Sequence, residues 1–243
     1  MSNEKTNVLN KNMARLNGPI TLYKYQGVNE YSINGLKDQK LWKADPFSFN
    51  DPFELRLMQL ADDEIYGVRG LDKLRRENPG FTHLSDQELY YLAISGLQNE
   101  FYNLRVTCFT EKNNNLLMWA HYGASHSGFC LGFEIPEDNE SLHKVNYQDD
   151  YPIIDLENVL NITGTAKILL NKSSHWSYEN EWRMIFIEPT TNFTDYPGRF
   201  AEIILGSRIS EKNEEQIRQI LKKSNVKIKK AFLHPKKYEL TIE

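Results

Sequence analysis

Cysteine is scarce. The chain has two, Cys108 and Cys130, in 243 residues. Each sits in an apolar run, which fits buried reduced thiols better than a disulfide scaffold or a metal site. No Cys-x-x-Cys and no His-Glu-x-x-His is present, so the common zinc signatures are missing and no metal is expected. No apolar stretch approaches the roughly 20 residues of a membrane span, and the polar start of the chain has no signal-peptide core. The expectation is a cytoplasmic, bacterial-type protein with no membrane partner. Positive charge is not in excess either: a net charge of −4 argues against a broad nucleic-acid footprint. Repeats, low-complexity tracts and evident linkers are lacking too. What remains is an ordinary globular balance, 40% hydrophobic and 26% charged, with a high aromatic share of 12%.

Residues 1–17 are polar and rich in Asn and Lys, and read as a mobile N-terminal segment. Residues 18–243 read as a single α+β domain with a mixed, mostly antiparallel sheet. Apolar runs and alternation place strands at 20–25, 41–44, 105–110, 128–135, 181–187, 201–205, 226–233 and 238–242. Residues 143–147 are expected to pair back on the strand before them as a hairpin, and residues 193–198 to form a loop. Residues from about 62 to 104 read as a helical insertion between strands, outside the catalytic core. Within it, Ser85 and Glu88 form a capping box, and Leu89, Leu92, Leu97, Phe101 and Leu104 are expected to line one helical face. Ile65, Val68, Leu71 and Leu74 carry that spacing earlier, and residues 155–171 look helical with a break near Gly164. Residues 116–122 read as a short helix, and Ser210 as the cap of another.

Three stretches could carry chemistry. The first runs from His175 to Ile187. Met184, Ile185, Phe186 and Ile187 are an unbroken apolar run, the mark of a buried strand. Side chains alternate along a strand, so Glu181 and Arg183 share a face, with Glu179 on the same side. Two carboxylates and a guanidinium at the mouth of a buried strand are costly unless they pair or bind something. An ion pair closing a sheet edge is one outcome; a held catalytic Glu is the other.

The second stretch runs from Met118 to Gly128. Gly123 and Gly128 let a ligand approach the backbone. His121 is placed to bond a ribose or phosphate, and Trp119 and Tyr122 to stack on a base or ring; core packing of Trp119 and Met118 is the competing outcome. His121 and His126 form only a weak metal pattern. The third stretch, Phe49 to Glu54, is dense in turn formers, with Asn50 and Asp51 fit to make side-chain turns.

Taken in order, Leu22-Tyr23-Lys24-Tyr25, Leu41-Trp42, Phe49-Asn50-Asp51-Pro52-Phe53-Glu54, Cys108-Phe109-Thr110, Met118-Trp119-Ala120-His121-Tyr122 and Trp176 to Arg183 resemble the bacterial domain-of-unknown-function family 2971, over about residues 20–210. Some relatives appear in phage-defence settings, so the resemblance allows a toxin-like defence role. More distantly, the strand order resembles the ADP-ribosyltransferase fold of DarT-like proteins. There, a late strand carries a catalytic Glu, and arginine-modifying members show Glu-x-Glu. Glu179-Asn180-Glu181 matches that pattern in the late position. The early strand has Tyr23-Lys24-Tyr25 where a His or Arg is expected, and no Ser-Thr-Ser block is found.

The resemblance implies NAD as the substrate cofactor, with Glu181 stabilising oxocarbenium charge and Glu179 orienting or deprotonating the acceptor. It implies cofactor contacts from Lys24, Tyr25, Trp119, His121, Tyr122 and Arg183. The acceptor would be a protein or nucleic acid, and an antitoxin or phage trigger protein would be a further partner. Two other functions fit the same residues. One is a non-catalytic sensor module that binds a nucleotide or phage protein in the same cleft. The other is a metal-dependent nuclease using Asp51, Glu54, His121 and Glu181.

Overall fold

The computed structural model describes residues 18–55, 71–137, 139, 141–151, 165, 168–187 and 189–243. The expectations for residues 1–17, 62–70 and 155–164 lie outside these.

The chain is a mixed α/β protein built on a large, open, mostly antiparallel sheet. In chain order the described elements are β1 (Ile20–Gln26), α1 (Glu30–Asp38), β2 (Lys40–Trp42), α2 (Leu71–Glu77), α3 (Asp86–Tyr102), β3 (Leu104–Thr110), α4 (Leu116–His121), β4 (Phe129–Ile135), β5 (Leu142–Lys144), β6 (Asn146–Gln148) and β7 (Asn171–Ser173). A 3₁₀ turn, Ser174–Glu179, leads into β8 (Glu181–Ile187), then β9 (Phe193–Asp195), β10 (Arg199–Leu205), α5 (Glu211–Leu221), β11 (Lys227–Leu233) and β12 (Leu240–Ile242). Eight strands form the main sheet in the order β12-β11-β10-β4-β1-β3-β8-β5. Its pairings are antiparallel except β10 with β11.

Local chemistry accounts for the helix starts. Asn29 and Ser32 close a capping box on α1, Ser85 and Glu88 close the expected one on α3, and Asn115 and Ser210 cap α4 and α5. On one face of the sheet, Ile33 and Leu36 of α1 and Ile217 and Leu221 of α5 pack on Leu22, Leu131, Phe133 and Ile203. The other face is split. Leu89 and Phe101 of α3 bury completely against Leu104, Val106 and Ile185. Met118 and Trp119 of α4 pack on Tyr25, Cys130 and Ile204. Thus α3, expected as part of an insertion beside the core, closes one of its clusters.

Two expectations are corrected. Residues 143–147 do not pair back on β4. Leu142–Lys144 joins β8, and Asn146–Gln148 runs parallel to Asn171–Ser173. Residues 193–198 are not all loop, because Phe193–Asp195 pairs with β2. An edge-on contact between Trp42 and Phe193, centroids 5.2 Å apart, supports that ladder.

One irregularity of the sheet matters for function. β1 pairs with β4 along its whole length, from Ile20↔Ile135 to Gln26↔Phe129, but meets β3 only at Tyr23↔Thr110. The sheet therefore forks between β1 and β3. Backbone groups bared by a fork need other partners. Lys24 Nζ donates to the carbonyl of Cys108 at 3.1 Å, and Tyr25 Oη to that of Lys112 at 2.9 Å.

Candidate functional site

The fork opens onto a cavity of about 120 Å³. Its walls are aromatic, from Tyr23, Tyr25, Phe49, Phe109 and Tyr122, and its floor is ionic. Gly132, opposite Tyr23 on β4, helps shape the wall. A Cβ there would come within 3.0 Å of the Tyr23 ring and 2.8 Å of the Glu202 side chain.

The floor is built from β8 outward. Alternation puts Glu181 and Arg183 on one face, as expected, and they form a two-pronged pair. Arg183 Nε donates to Glu181 Oε1 at 2.8 Å and Nη2 to Oε2 at 2.9 Å. Nη1 donates to the Leu169 carbonyl at 2.6 Å, Nη2 also reaches Glu54, and the guanidinium lies over the Phe49 ring at 4.9 Å. The guanidinium thus makes four hydrogen bonds, although Arg183 is only 1% exposed.

Lys172 on β7 is the second cation. Its Nζ lies 2.6 Å from Glu179, 3.4 Å from Glu181 and 3.5 Å from Glu54. Glu179 reaches it because the 3₁₀ turn ends in Asn180, held left-handed at φ 44, a conformation Asn tolerates better than most residues. The carboxylates on either side of that residue then converge on one ammonium. Glu179 Oε1 also accepts from Tyr122 Oη at 2.7 Å, and Tyr122 Oη in turn accepts from Asn50 Nδ2 at 3.3 Å. Thr110 Oγ1 bonds the Glu179 carbonyl, and the Glu181 N–H donates to Tyr147 Oη at 2.9 Å.

Three carboxylates therefore share two strong cations, and the two on β8's approach titrate in opposite directions. Burial pushes the Glu181 carboxyl up, but Arg183 and Lys172 outweigh it and hold it down at about 2. Burial also pushes Glu179 up; Lys172 opposes that and Glu181 adds to it, and the net is a raised pKa. Burial is the largest cause for both; Glu181 overcomes it with two cations, whereas Glu179 pairs with Lys172 and not with Arg183. Burial pulls Lys24 below the ordinary lysine range, against the pull of Cys108 and Glu181. Burial raises the Tyr122 phenol, and the neighbouring Glu179 raises it further. Of the two, Glu179 is the carboxyl whose ionised form the fold disfavours, and Glu181 the one its cations hold ionised.

Of the expected site residues, the fold brings Lys24, Tyr25, Tyr122, Glu179, Glu181 and Arg183 around one cavity. Trp119 and His121 do not line it. Trp119 is fully buried, edge-on to Tyr25 at 5.0 Å, with Nε1 bonded to the Asn113 carbonyl at 2.9 Å. His121 is exposed at the end of α4, its ring 6.4 Å from that of Trp176. Asp51 makes the expected side-chain turn, accepting from the Phe53 N–H at 2.9 Å. Among the described residues no group of three or more His, Cys, Asp or Glu is disposed to hold a metal ion. Glu54, Glu179 and Glu181 instead converge on Lys172 and Arg183. Sequence reasoning missed Lys172 altogether, and weighed Glu54 only as a metal ligand. Lys172 stands in a polar run, Asn171 to Ser174, with no motif to mark it.

A second cleft, of about 610 Å³, lies on the far side of Glu54 and Lys172, which line both spaces. Trp176 and His175 face it, and the Trp176 ring lies 4.9 Å from Lys172 Nζ.

Residues 118–184 match the family model described as "Protein of unknown function (DUF2971)". That span contains Tyr122, Lys172, Glu179, Glu181 and Arg183, and is narrower than residues 20–210. No curated protein and no solved structure matches the chain significantly. No helix among the described residues is long and apolar enough to cross a membrane.

Proposed function

We propose that the protein is an NAD-dependent ADP-ribosyltransferase-like enzyme that breaks the nicotinamide–ribose bond. The observation that carries this reading is the pairing of Glu179 and Glu181 on one ammonium at the floor of an aromatic cavity, one carboxylate fixed as an anion and the other able to take up a proton. When the C–N bond breaks, its electron pair leaves with nicotinamide and the ribose develops oxocarbenium charge. A buried, fixed carboxylate stabilises that charge more than water does. Glu181 is such a group. Glu179 then takes the proton of the attacking acceptor as the new bond to the ribose forms. The inner cavity suits a ring and its sugar, not a whole dinucleotide, since small-molecule sites run to roughly 300–1,000 Å³. Tyr25 and Tyr122 supply the ring contacts, and Lys24 a polar one.

A second reading is favoured by one feature. Every charge on the floor is already satisfied within the protein, so the same cleft can serve as a non-catalytic nucleotide sensor. Two measurements decide. NAD at about 100 times its dissociation constant should stabilise the fold by about 2.7 kcal/mol, and nicotinamide should appear by chromatography. Stabilisation without nicotinamide selects the sensor; neither effect at millimolar NAD rules out both.

A further inference from the structure

One of the three carboxylates on the floor comes from a different kind of place. Glu179 and Glu181 stand at the entry to β8. Glu54 stands in an irregular turn, residues 52–55, and the next residue, Leu55, is held at φ 61. A left-handed conformation is costly for a residue with a Cβ. Glu54 is the third carboxylate to share Lys172 and Arg183, so a change in the 52–55 turn would free a contact on each cation while Glu181 kept its own.

Glu54 is also shared between two spaces. Its ion pair with Lys172, at 3.5 Å, lines both the cavity of about 120 Å³ and the cleft of about 610 Å³. The inner cavity is below the usual size of a small-molecule site, whereas the larger cleft is within it.

We propose that Glu54 is an internal stand-in for an anionic group of the ligand. Lys172 and Arg183 form a subsite for a pyrophosphate group, which enters from the larger cleft as the 52–55 turn withdraws Glu54. The exchange is like for like. A phosphate oxygen takes over the contact Glu54 makes with Arg183 Nη2 and the proton it faces on Lys172, while Glu181 keeps its two-pronged bond. The withdrawal also removes the wall between the two spaces. This rests on the reading of the cleft as a nucleotide site, and adds where the phosphates lie and what they displace.

The test is calorimetric titration of the full chain with inorganic pyrophosphate. Glu54→Gln keeps the volume but removes the competing charge, and should tighten binding about 10-fold or more, because less of the protein is held in the closed form. Glu179→Gln removes the same charge from the same Lys172 but leaves Glu54 in place, and should tighten it by no more than about 3-fold. Equal gains from the two variants, or none from Glu54→Gln, would overturn the proposal. A second arm keeps Glu54. Phe53 is exposed, so Phe53→Trp in protein grown on 5-fluorotryptophan adds one fluorine resonance on the turn. That resonance should shift with pyrophosphate and saturate with the calorimetric isotherm. Binding that leaves it unmoved, or no binding at all, sinks the idea. Nicotinamide release with no pyrophosphate linkage would leave the enzyme reading standing and remove only this one; linkage without release would do the reverse.

Discussion

Glu179 and Glu181 flank a single left-handed residue, Asn180, and meet the same ammonium, Lys172 Nζ, at 2.6 and 3.4 Å. They are two residues apart and differ in partners. Glu181 has Arg183 on both oxygens, while Glu179 has a phenol and a shared ammonium. That difference holds Glu181 ionised by two cations and leaves Glu179 with one cation and a phenol.

Glu181→Gln should therefore destabilise the protein. Its folded pKa of about 2 lies below the unfolded value. A depressed carboxyl contributes stability that is fully present above the unfolded pKa of about 4.3 and is lost as pH falls towards 2. Removing it leaves Arg183 without its main partner, a loss of about 3–5 kcal/mol at pH 7 for a buried pair. Urea melts between pH 3 and 7 should show that loss, together with a flatter acid limb than in the wild type. An unchanged melt at pH 7 would mean that Arg183 is satisfied by Glu54 and Leu169 alone.

Glu179→Gln should behave the other way. A raised carboxyl disfavours its own ionised form in the fold, so it lowers stability as pH rises from the unfolded pKa of about 4.3 through the folded one. The glutamine variant escapes that loss. It should melt at or above the wild-type temperature at pH 8, while nicotinamide release falls by about 10²–10³-fold. A stable variant with an unchanged rate would remove Glu179 from the chemistry.

Much of the scaffold was legible because its signals are local. The unbroken apolar run of β8, the alternation of β1 and the caps at Ser85 and Ser210 are each set by neighbouring residues. So was the shared face of Glu181 and Arg183, which alternation alone dictates. What the sequence hid depends on distant partners. Leu142–Lys144 is a strand because β8 lies beside it, and Phe193–Asp195 because β2 does. Lys172 enters the site through pairing with Asn146–Gln148, a partner about 25 residues away that leaves no periodicity in a polar run. The fork is invisible for the same reason: it is a missing ladder between β1 and β3, not a motif in either. Trp119 shows the opposite failure. An aromatic in a glycine-flanked stretch reads as a stacking platform or, with more weight, as core, and here it is core.

Trp119→Phe should separate those two roles. The indole is fully buried and its N–H bonds the Asn113 carbonyl. The substitution leaves that carbonyl without its donor and part of the ring's volume empty, at a cost of about 1–3 kcal/mol. NAD affinity should stay within about 3-fold, since the side chain does not line the cavity. A large loss of affinity in a protein of unchanged stability would restore Trp119 to the binding surface.

Tyr122→Phe tests the proton chemistry directly. The Tyr122 hydroxyl donates to Glu179 Oε1 at 2.7 Å and lowers its pKa, against the upward push of burial. Removing the donor leaves burial and Glu181 less opposed, so the Glu179 pKa rises further. A hydrogen bond to a charged group is worth about 1.5–3 kcal/mol, or about 1–2 pKa units in the limit where all of it favours the ionised form. If Glu179 must be ionised to take the acceptor's proton, the acid limb of kcat/KM for NAD moves to higher pH by up to that amount. The rate well above the limb should change much less. Tyr122 is only partly buried and its ring remains, so stability should fall little. A merely structural hydroxyl would give the reverse, a lower melting temperature with the acid limb in place. The pH profile of nicotinamide release, measured beside the melts, distinguishes the two outcomes.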